Sequence, residues 1–335
     1  MANSSRYGWG EFEYMRFLSK TLVTLLLIVG STAASAESVC PVEWVVLGVA
    51  QDAGIPQIGN PGDSAWQDLR QIQLPTAAAL VDHRNGARYL FEATPAVTQQ
   101  LQQLDRLAPG NGDPLGLSGV FLTHAHIGHY AGLMYFGHEA AGTQGLRVFA
   151  MPRMAKFLAG NGPWSQLLTL GNIALAPLGH RQPATLADGL SVTPIAVPHR
   201  DEYSETVAFR INGPSRSLLF VPDIDHWEAV QNRDTLNINK TLKQVDYAFV
   251  DATFYSDNEL PGRDMSQIPH PRVKATMDRF DKVLTPAQRG RIYFIHFNHS
   301  NPIRDRHSAE TREVLSRGYQ VARSGQRLCL GTEPG

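Results

Sequence analysis

The chain has 335 residues, of which 43% are hydrophobic and 18% are charged, a composition typical of a globular protein. Thirty basic and 31 acidic residues give a formal net charge of −1, so no global field attracts nucleic acid or an anionic membrane. Nucleic-acid processing is therefore disfavoured, and a charged ligand must be bound by local groups. Composition and charge say nothing about the oligomeric state.

The first 36 residues predict a secretory signal peptide. Arg16 and Lys20 precede the apolar run TLVTLLLIVG, and small residues follow it as far as Ala36, after which we expect cleavage. The run is too short to span a bilayer comfortably, which disfavours a stable membrane anchor. Translation could begin at Met15. We expect the mature protein, residues 37–335, in the periplasm or outside the cell.

The chain has two cysteines, Cys40 near the predicted cleavage site and Cys329 near the C-terminus. In an exported protein they could form one disulfide that joins the ends of the domain, and two unpaired buried thiols are the alternative. Two cysteines also exclude a zinc ribbon built on thiolates.

Short apolar, β-branched runs separated by turn-rich loops predict the strands. In chain order these runs are WVVLGVA, AAALVDH, YLFEA, GVFLTH, RVFAMP, LSVTPIAVPH, TVAFRI, SLLFVPD, VDYAFVDA and RIYFIHF. Helices are predicted at PAVTQQLQQL and near residues 153–160, 226–232, 271–283 and 308–317. The strands form two series with helices between and after them, which favours one mixed α/β domain with two packed sheets and outer helices. The long loop at residues 51–75, rich in Gly and Pro, is expected to fold over a functional site.

The stretch FLTHAHIGHYAGL, residues 121–133, contains three histidines within six positions at the end of a predicted strand. His124 and His126 are two residues apart, so their side chains can point to the same side. His129 falls in the first turn of a following helix and can reach the same point. Neutral imidazoles bind zinc, iron, manganese or nickel, so the stretch predicts a metal site with positions left open for water.

Three further residues of metal-binding type follow apolar strands elsewhere in the chain. VPH provides His199, LLFVPD provides Asp223 and RIYFIH provides His296. Each has an ordinary explanation alone, as a turn residue or a hydrogen-bonded histidine. Four strand ends with such residues in one chain favour a shared site.

This ordered set resembles the metallo-β-lactamase superfamily, whose HxHxDH motif is followed by a lone His, a bridging Asp and a final strand-end His. The resemblance covers residues 42–325 and implies an αββα sandwich of two mixed β-sheets with outer helices. The segments VLGVAQDAGIPQIG, VDYAFVDATFY and FIHFNHSNP are most similar to the branch of pyrroloquinoline quinone biosynthesis protein B. That branch often carries a cysteine-rich structural zinc motif, but residues 59–62 read Gly-Asn-Pro-Gly, so this zinc is not expected.

The resemblance implies a ligand set for one or two ions, with zinc as the first expectation and iron or manganese as alternatives. It assigns a first metal to His124, His126 and His199, and a bridging role to Asp223. The second metal would take the two remaining histidines, His129 and His296.

Gly128 stands where the family motif has an aspartate that binds the second metal. Glycine has no side chain to donate, so we expect one tightly bound metal and a weak or altered second position. A nearby carboxylate could substitute, and the candidates in order of preference are Asp52, Asp201 and Asp251.

The resemblance implies a mechanism in which metal-activated water attacks a carbonyl or phosphoryl centre, while Asp223 orients the water or takes its proton. His299 could donate a proton to the leaving group or be a solvated loop residue. Arg200, beside His199, could pair with an anionic small-molecule substrate.

Other polar and aromatic residues have structural interpretations. Trp164 is expected in the core, Tyr203 could line the pocket, and Glu92 is interpreted as a structural hydrogen-bond acceptor. Three histidines are interpreted as loop or helix-surface residues, namely His226, His270 and His307.

Three hypotheses of function follow. The first is an exported metal-dependent hydrolase of an ester, lactone, lactam or phosphodiester. The second is an iron-dependent oxidative enzyme of the same fold, because a histidine-rich site short of one carboxylate could hold redox iron. The third is a non-catalytic, metal-dependent binding or carrier protein.

Overall fold

The computed structural model describes residues 40–110, 115–228 and 234–332. The predicted signal peptide, residues 1–36, lies outside these ranges. Within them, no helix combines the length and the apolar character needed to cross a bilayer. The described residues form two seven-stranded sheets packed against each other with helices around them, which confirms the predicted αββα sandwich.

The first sheet contains most of the N-terminal half and one strand from the C-terminus. Its strands are β1 Val42–Gly48, β2 Ala77–Asp82, β3 Ala87–Phe91, β4 Gly119–Phe121, β5 Leu146–Ala150, β6 Ile173–Pro177 and β14 Arg327–Cys329. Their order is β14-β1-β2-β3-β4-β5-β6. Strands β3 to β6 run parallel, so their C-terminal ends share one edge of the sheet.

The second sheet is built from the C-terminal half. Its strands are β7 Ala184–Ala187, β8 Leu190–Ala196, β9 Val207–Asn212, β10 Ser217–Val221, β11 Tyr247–Asp251, β12 Ile292–Ile295 and β13 Gln320–Val321. Their order is β13-β12-β11-β10-β9-β8-β7. Strands β10 to β13 are parallel, and antiparallel pairing with β9 returns β8 to the same direction.

Strand β1 shows why the layers form. All seven of its residues are buried, and successive side chains of a strand point to opposite faces. Trp44 and Val46 accordingly pack in the core between the sheets. Val45 and Leu47 pack in the second core, which includes buried residues of the outer helices. The ring of Trp44 lies 5.3 Å from that of Phe220 in the facing sheet.

The helices are mostly short and connect the strands. They are α1 Val97–Leu107, α2 Ile127–Tyr130, α3 Pro152–Gly160, α4 Trp164–Thr169, α5 Ile238–Thr241, α6 Val273–Asp281, α7 Pro286–Arg289 and α8 Ala309–Ser316. The helix predicted near 226–232 is wrong for residues 226–228, which are irregular, and 229–233 lie outside the described residues. The backbone N–H of the preceding Asp225 donates to Pro198 O (2.8 Å). This contact holds the segment against the residues that follow β8, so it does not start a helix.

Cys40 and Cys329 form a disulfide with a Cα–Cα distance of 5.6 Å. Strand β14 pairs with the start of β1, where Glu43 lies opposite Cys329, so the bond joins the two ends of the described domain. Of the two alternatives for the cysteines, the disulfide is the one observed.

The 51–75 loop is ordered by contacts at several points. It contains two single-turn helices, Ser64–Trp66 and Leu69–Gln71. Asp63 receives a hydrogen bond from Arg304 Nη2 (3.0 Å), and Ala50, just before the loop, bridges to Phe297 just beyond β12. The loop therefore lies against the C-terminal ends of the second-sheet strands.

Candidate metal centre

The predicted ligands lie beyond the C-terminal ends of parallel strands. His124 and His126 follow β4 and lead directly into α2, while Asp223 follows β10 and His296 follows β12. His199 comes three residues after β8. Because these strands run in the same direction within each sheet, their ends meet at one edge of the sandwich, and ligands far apart in sequence come together there.

Four side chains form a first cluster, with one donor atom each within 4.8 Å of the others. His124 Nε2 lies 2.9 Å from His126 Nδ1, which lies 3.0 Å from His199 Nε2. Asp223 Oδ2 is 3.1 Å from His199 Nε2 and 3.5 Å from His124 Nε2. Ligands at zinc-binding distance on a tetrahedron are about 3.3 Å apart, so these spacings suit one metal ion.

Neighbouring groups hold these histidines by the ring nitrogen that faces away from the cluster. Asp225 Oδ1 lies 2.7 Å from His199 Nδ1, and Thr123 Oγ1 lies 2.8 Å from His124 Nδ1. Such contacts fix the tautomer and orientation of a metal-binding imidazole. Sequence analysis missed the role of Asp225, although its place two residues after Asp223 offered a signal.

A second cluster consists of Asp52, His129 and His296, again with one donor atom each within 4.8 Å of the others. Asp52 Oδ1 lies 3.2 Å from His129 Nε2 and 3.9 Å from His296 Nε2. Asp223 Oδ2 is 3.8 Å from His129 Nε2, so this carboxylate lies between the two clusters. All six residues predicted as ligands are thus brought to one edge, together with Asp52.

Gly128 and Asp52 are in direct contact. A Cβ atom built on Gly128 would lie 2.4 Å from Asp52 Cα and 2.4 Å from its Oδ1. Asp52, first of the three substitute carboxylates proposed from the sequence, therefore lies where the side chain of the family's motif aspartate would begin. Asp201 lies near His199 but belongs to neither cluster, and it pairs with Arg153 at 3.4 Å.

His270 belongs to the site, although the sequence predicts it only as a loop or helix-surface residue. It lies in a loop, as expected, but its side chain is only 9% exposed. Its Nδ1 is 2.9 Å from Asp251 Oδ2 and 3.4 Å from Asp223 Oδ1. The side chain is largely buried because α6 begins just beyond His270 and folds this segment over the strand ends. No periodic pattern in IPHP marked it.

Glu92 lies at the base of the site and accepts hydrogen bonds, as predicted. It is fully buried, and its carboxylate accepts from Thr123 Oγ1 (2.5 Å). Glu92 Oε1 also lies 3.4 Å from His129 Nδ1, the ring nitrogen that faces away from the second cluster. Glu92 therefore orients His129 rather than joining the ligand atoms.

The remaining candidates lie around the rim or away from the site. Arg200 is exposed and lies 3.6 Å from Glu202, and Tyr203 is exposed beside Phe157. Trp164 packs against the outer-helix core, as predicted. His226 and His307 are exposed, which agrees with their surface interpretation.

His299 lies at a cavity of about 650 Å³. Its Nδ1 is 3.1 Å from Asn60 Nδ2 in the 51–75 loop. The cavity wall also includes Arg304, Arg306 and His307. The wall is mainly polar and includes Asp305 as well as these basic residues, and its segment begins three residues after His296.

The electrostatics of the clusters suit a cation. Burial lowers the pKa of His199, but Asp223 and Asp225 outweigh it and raise that pKa to about 10. For His129, burial is likewise outweighed by Glu92 and Asp52, and its pKa lies well above the usual value. Protons on these histidines balance the buried carboxylates, a role that a divalent metal ion can take over.

Buried polar atoms without hydrogen-bond partners give a second test of whether the clusters suit a metal ion. Among the described residues, the buried polar atoms without a hydrogen-bond partner include five from the residues of these clusters. They are Asp52 Oδ1, His129 Nδ1, His129 Nε2, Asp223 Oδ1 and His296 Nε2. Buried polar atoms normally have hydrogen-bond partners. The unpartnered atoms gathered here are therefore consistent with metal ions bound between them.

The two mixed sheets and the histidine and carboxylate clusters at their edge define a metal-binding protein of the metallo-β-lactamase fold. A family model described as the β-lactamase superfamily domain matches residues 87–297, and the chain belongs to this family. Its similarity to coenzyme PQQ synthesis protein B of Ruegeria pomeroyi is 26% identity over 310 residues, covering 85% of this chain and 99% of the relative.

Two solved structures share the fold. Zinc-bound PqqB from Methylobacterium extorquens matches with a TM-score of 0.68 and 20% identity, covering 85% of this chain and 99% of PqqB. A diphosphatase of the PhnP family matches with a TM-score of 0.59 and 18% identity, covering 86% of this chain and 96% of the diphosphatase. The predicted similarity to the branch of the PQQ synthesis protein is therefore confirmed.

Proposed function

We propose that the protein is an exported metal-dependent hydrolase of a small anionic ester, with phosphodiesters as the first class to test. The observation that carries the proposal is the first cluster, in which three histidine nitrogens and one carboxylate oxygen converge at the strand ends. It is reached from solvent, since the side chain of His126 is 15% exposed.

His124, His126, His199 and Asp223 would hold a metal ion, which when bound would supply Lewis acidity and lower the pKa of a water molecule. Asp223 lies between the two clusters, so its carboxylate can orient that water and accept its proton. His270 lies 3.4 Å from Asp223 Oδ1, so a proton on its ring would attract this carboxylate.

The cavity beside His299 supports an anionic substrate. Arg306 provides positive charge at its wall beside Arg304, which is paired with Asp63, and guanidinium groups bind phosphate and carboxylate oxygens well. Burial, together with nearby Arg304, lowers the pKa of His299. A neutral imidazole there can donate a hydrogen bond to a leaving group from its protonated nitrogen.

Hydrolysis is tested with the mature chain, loaded with zinc, on bis(p-nitrophenyl) phosphate, p-nitrophenyl acetate, an aliphatic lactone and a chromogenic cephalosporin. We expect turnover of at least one substrate, with phosphodiester cleavage the fastest. His126→Ala should lower the rate at least about 100-fold, while the exposed control His226→Ala should leave it unchanged. If native protein and His126→Ala are equally inactive on all four, the hydrolase proposal fails and a carrier role gains support.

The disulfide supports export, because such bonds persist in oxidising compartments. We propose that residues 1–36 direct the chain to the periplasm or outside the cell. N-terminal sequencing of the protein recovered from the periplasm or medium should begin at Glu37. Recovery of the intact N-terminus from the cytoplasm would contradict export.

An iron-dependent oxidative role is the second candidate, because the histidine-rich clusters could also hold iron. Metal analysis of protein purified without added metal separates the two. Stoichiometric iron with oxygen uptake would support the second candidate and contradict the hydrolase.

A further inference from the structure

We propose that Asp52 is the carboxylate ligand of a second metal position, together with His129 and His296, and that Gly128 is the residue that admits it. The ligand missing from the helix α2 motif is thus supplied by the 51–75 loop. This inference rests on the proposed metal centre but not on hydrolysis.

The contact between Gly128 and Asp52 is the first argument. A Cβ on residue 128 would approach the Asp52 backbone to 2.4 Å, a distance that real side chains do not adopt. Gly128 lies inside α2, and its φ is outside the left-handed range that requires glycine. Close approach of Asp52 is therefore the physical reason for glycine at this position.

The direction of the Asp52 carboxylate is the second argument. Its Oδ1 is buried and points at His129 Nε2 (3.2 Å) and His296 Nε2 (3.9 Å). Each of these three atoms is without a hydrogen-bond partner within the described ranges. Three such atoms facing one point, each able to bind a metal, make a built site rather than a chance ion pair.

Backbone contacts hold Asp52 in this position. Gln51 N–H donates to Phe297 O (2.8 Å), and His296 N–H donates to Val49 O (2.8 Å). The residues flanking Asp52 and His296 are thereby tied together. Gly54 N–H also donates to Gln51 O (2.8 Å), which closes a turn around Asp52 and fixes the carboxylate before any metal binds.

Asp251 forms a further candidate group with Asp223 and His296, but hydrogen bonds already engage its carboxylate. Its Oδ1 accepts from the backbone N–H and hydroxyl of Thr253 (2.7 and 2.9 Å). Its Oδ2 accepts from Ile224 N–H (3.0 Å) and lies 2.9 Å from His270 Nδ1. Both oxygens are occupied, so Asp251 orders the strand ends while Asp52 remains free to bind metal.

Asp52 also restores the charge expected at a two-metal centre. With Asp223 it places two carboxylates against the two clusters, the same number that the family motif provides through its helix aspartate and its bridging aspartate. The sequence therefore keeps the ligand count while moving one ligand from α2 to the loop.

The test is zinc stoichiometry of the intact mature protein, measured by elemental analysis after equilibration with excess zinc and removal of the unbound metal. We expect two zinc ions per chain in native protein and one in Asp52→Asn, with second-site affinity at least about 10-fold weaker. Asp201→Asn, a nearby exposed carboxylate outside both clusters, is the matched control and should retain two. The zinc that remains in Asp52→Asn, with an unchanged circular dichroism spectrum, shows that the variant is folded.

Two zinc ions retained at native affinity by Asp52→Asn would overturn the proposal, as would one or none in native protein. If Asp52→Asn does not fold, Asp52→Glu takes its place, and its longer side chain should weaken zinc binding at the second site alone. Native zinc affinity of the second site in Asp52→Glu would also overturn the proposal. If native protein binds two zinc ions and Asp52→Asn selectively loses the second, but no substrate is turned over, this inference stands while the hydrolase proposal fails.

Discussion

For Gly128, the sequence predicts the chemical consequence, a missing carboxylate ligand, but not the contact that the residue makes in the fold. The sequence shows that this chain lacks the carboxylate that the family motif has at position 128, and it predicts Asp52 as the first substitute. It could not show that Asp52 approaches so closely that no side chain fits at 128, because that contact depends on how the 51–75 loop folds back. The sequence predicts which chemical group a single position offers, but it does not predict which residues from distant segments pack against that position.

A substitution at Gly128 tests this contact through stability. Alanine normally favours a helix by about 1 kcal/mol over glycine, yet Gly128→Ala should destabilise the protein by about 1–3 kcal/mol because its Cβ overlaps Asp52. Gly160, at the end of α3 with nothing within 4 Å of an added Cβ, is the control, and Gly160→Ala should be neutral or slightly stabilising. Urea unfolding of both variants measures the difference, and equal stabilities would argue against the close contact.

Asp225 should control the affinity of the first metal site through His199. Its carboxylate lies 2.7 Å from His199 Nδ1, so Asp225→Asn weakens the orientation and basicity of that imidazole. We expect metal affinity to fall about 10- to 100-fold, measured by competition with a chromophoric chelator. Asp188→Asn, an exposed carboxylate elsewhere, should have no effect. Unchanged affinity in Asp225→Asn would show that His199 does not bind metal.

At the scale of elements, the strands that carry ligands were the easiest to predict. Strands β4, β8, β10 and β12 are apolar runs that end in a polar residue, and their burial is visible in the sequence. Strands β6, β7, β13 and β14 were not predicted. They are short strands at or near the ends of the sheets, and their pairing is determined by the neighbouring strand more than by their own pattern.

Asp281, the last residue of α6, links three elements and should make part of the stability dependent on pH. It accepts from Tyr319 (2.7 Å) and pairs with Arg317 and Arg289 (2.7 Å each). Burial alone raises its pKa, but these contacts outweigh it and lower the pKa to about 2. Its contribution is therefore complete above the unfolded pKa near 4 and is lost as the pH falls toward 2.

The corresponding measurement is the free energy of unfolding of Asp281→Asn at two pH values. Because the side chain is partly exposed, we expect a loss of about 1–2 kcal/mol at pH 7. The difference from the native protein should shrink as the pH approaches 2 to 3. A difference that stays constant with pH would show that the effect is packing rather than charge.

At the scale of the whole molecule, the resemblance to the metallo-β-lactamase superfamily predicted the sandwich and the order of the ligands. Only the structure shows where the 51–75 loop lies. The disulfide was one of two alternatives because the sequence contains no measure of the distance between Cys40 and Cys329. The pairing of β14 with β1 brings them together. Long-range pairing of this kind depends on the complete fold, so it lies beyond local sequence patterns.

Removing the disulfide should lower stability without changing the metal site. The bond closes a chain segment of 289 residues, and its loss releases conformational entropy in the unfolded chain. We expect the Cys40→Ser, Cys329→Ser double variant to be less stable by about 2–5 kcal/mol while it retains native metal stoichiometry. Unchanged stability would indicate that the pairing of β14 with β1 alone holds the ends together.

The central claim is that metal binds at the edge where the strand ends meet. A crystal structure of zinc-loaded protein, with anomalous scattering recorded on both sides of the zinc edge, tests it most directly. We predict one peak between His124, His126, His199 and Asp223, and a second between Asp52, His129 and His296. A map with zinc peaks elsewhere and none at the first cluster would contradict the account.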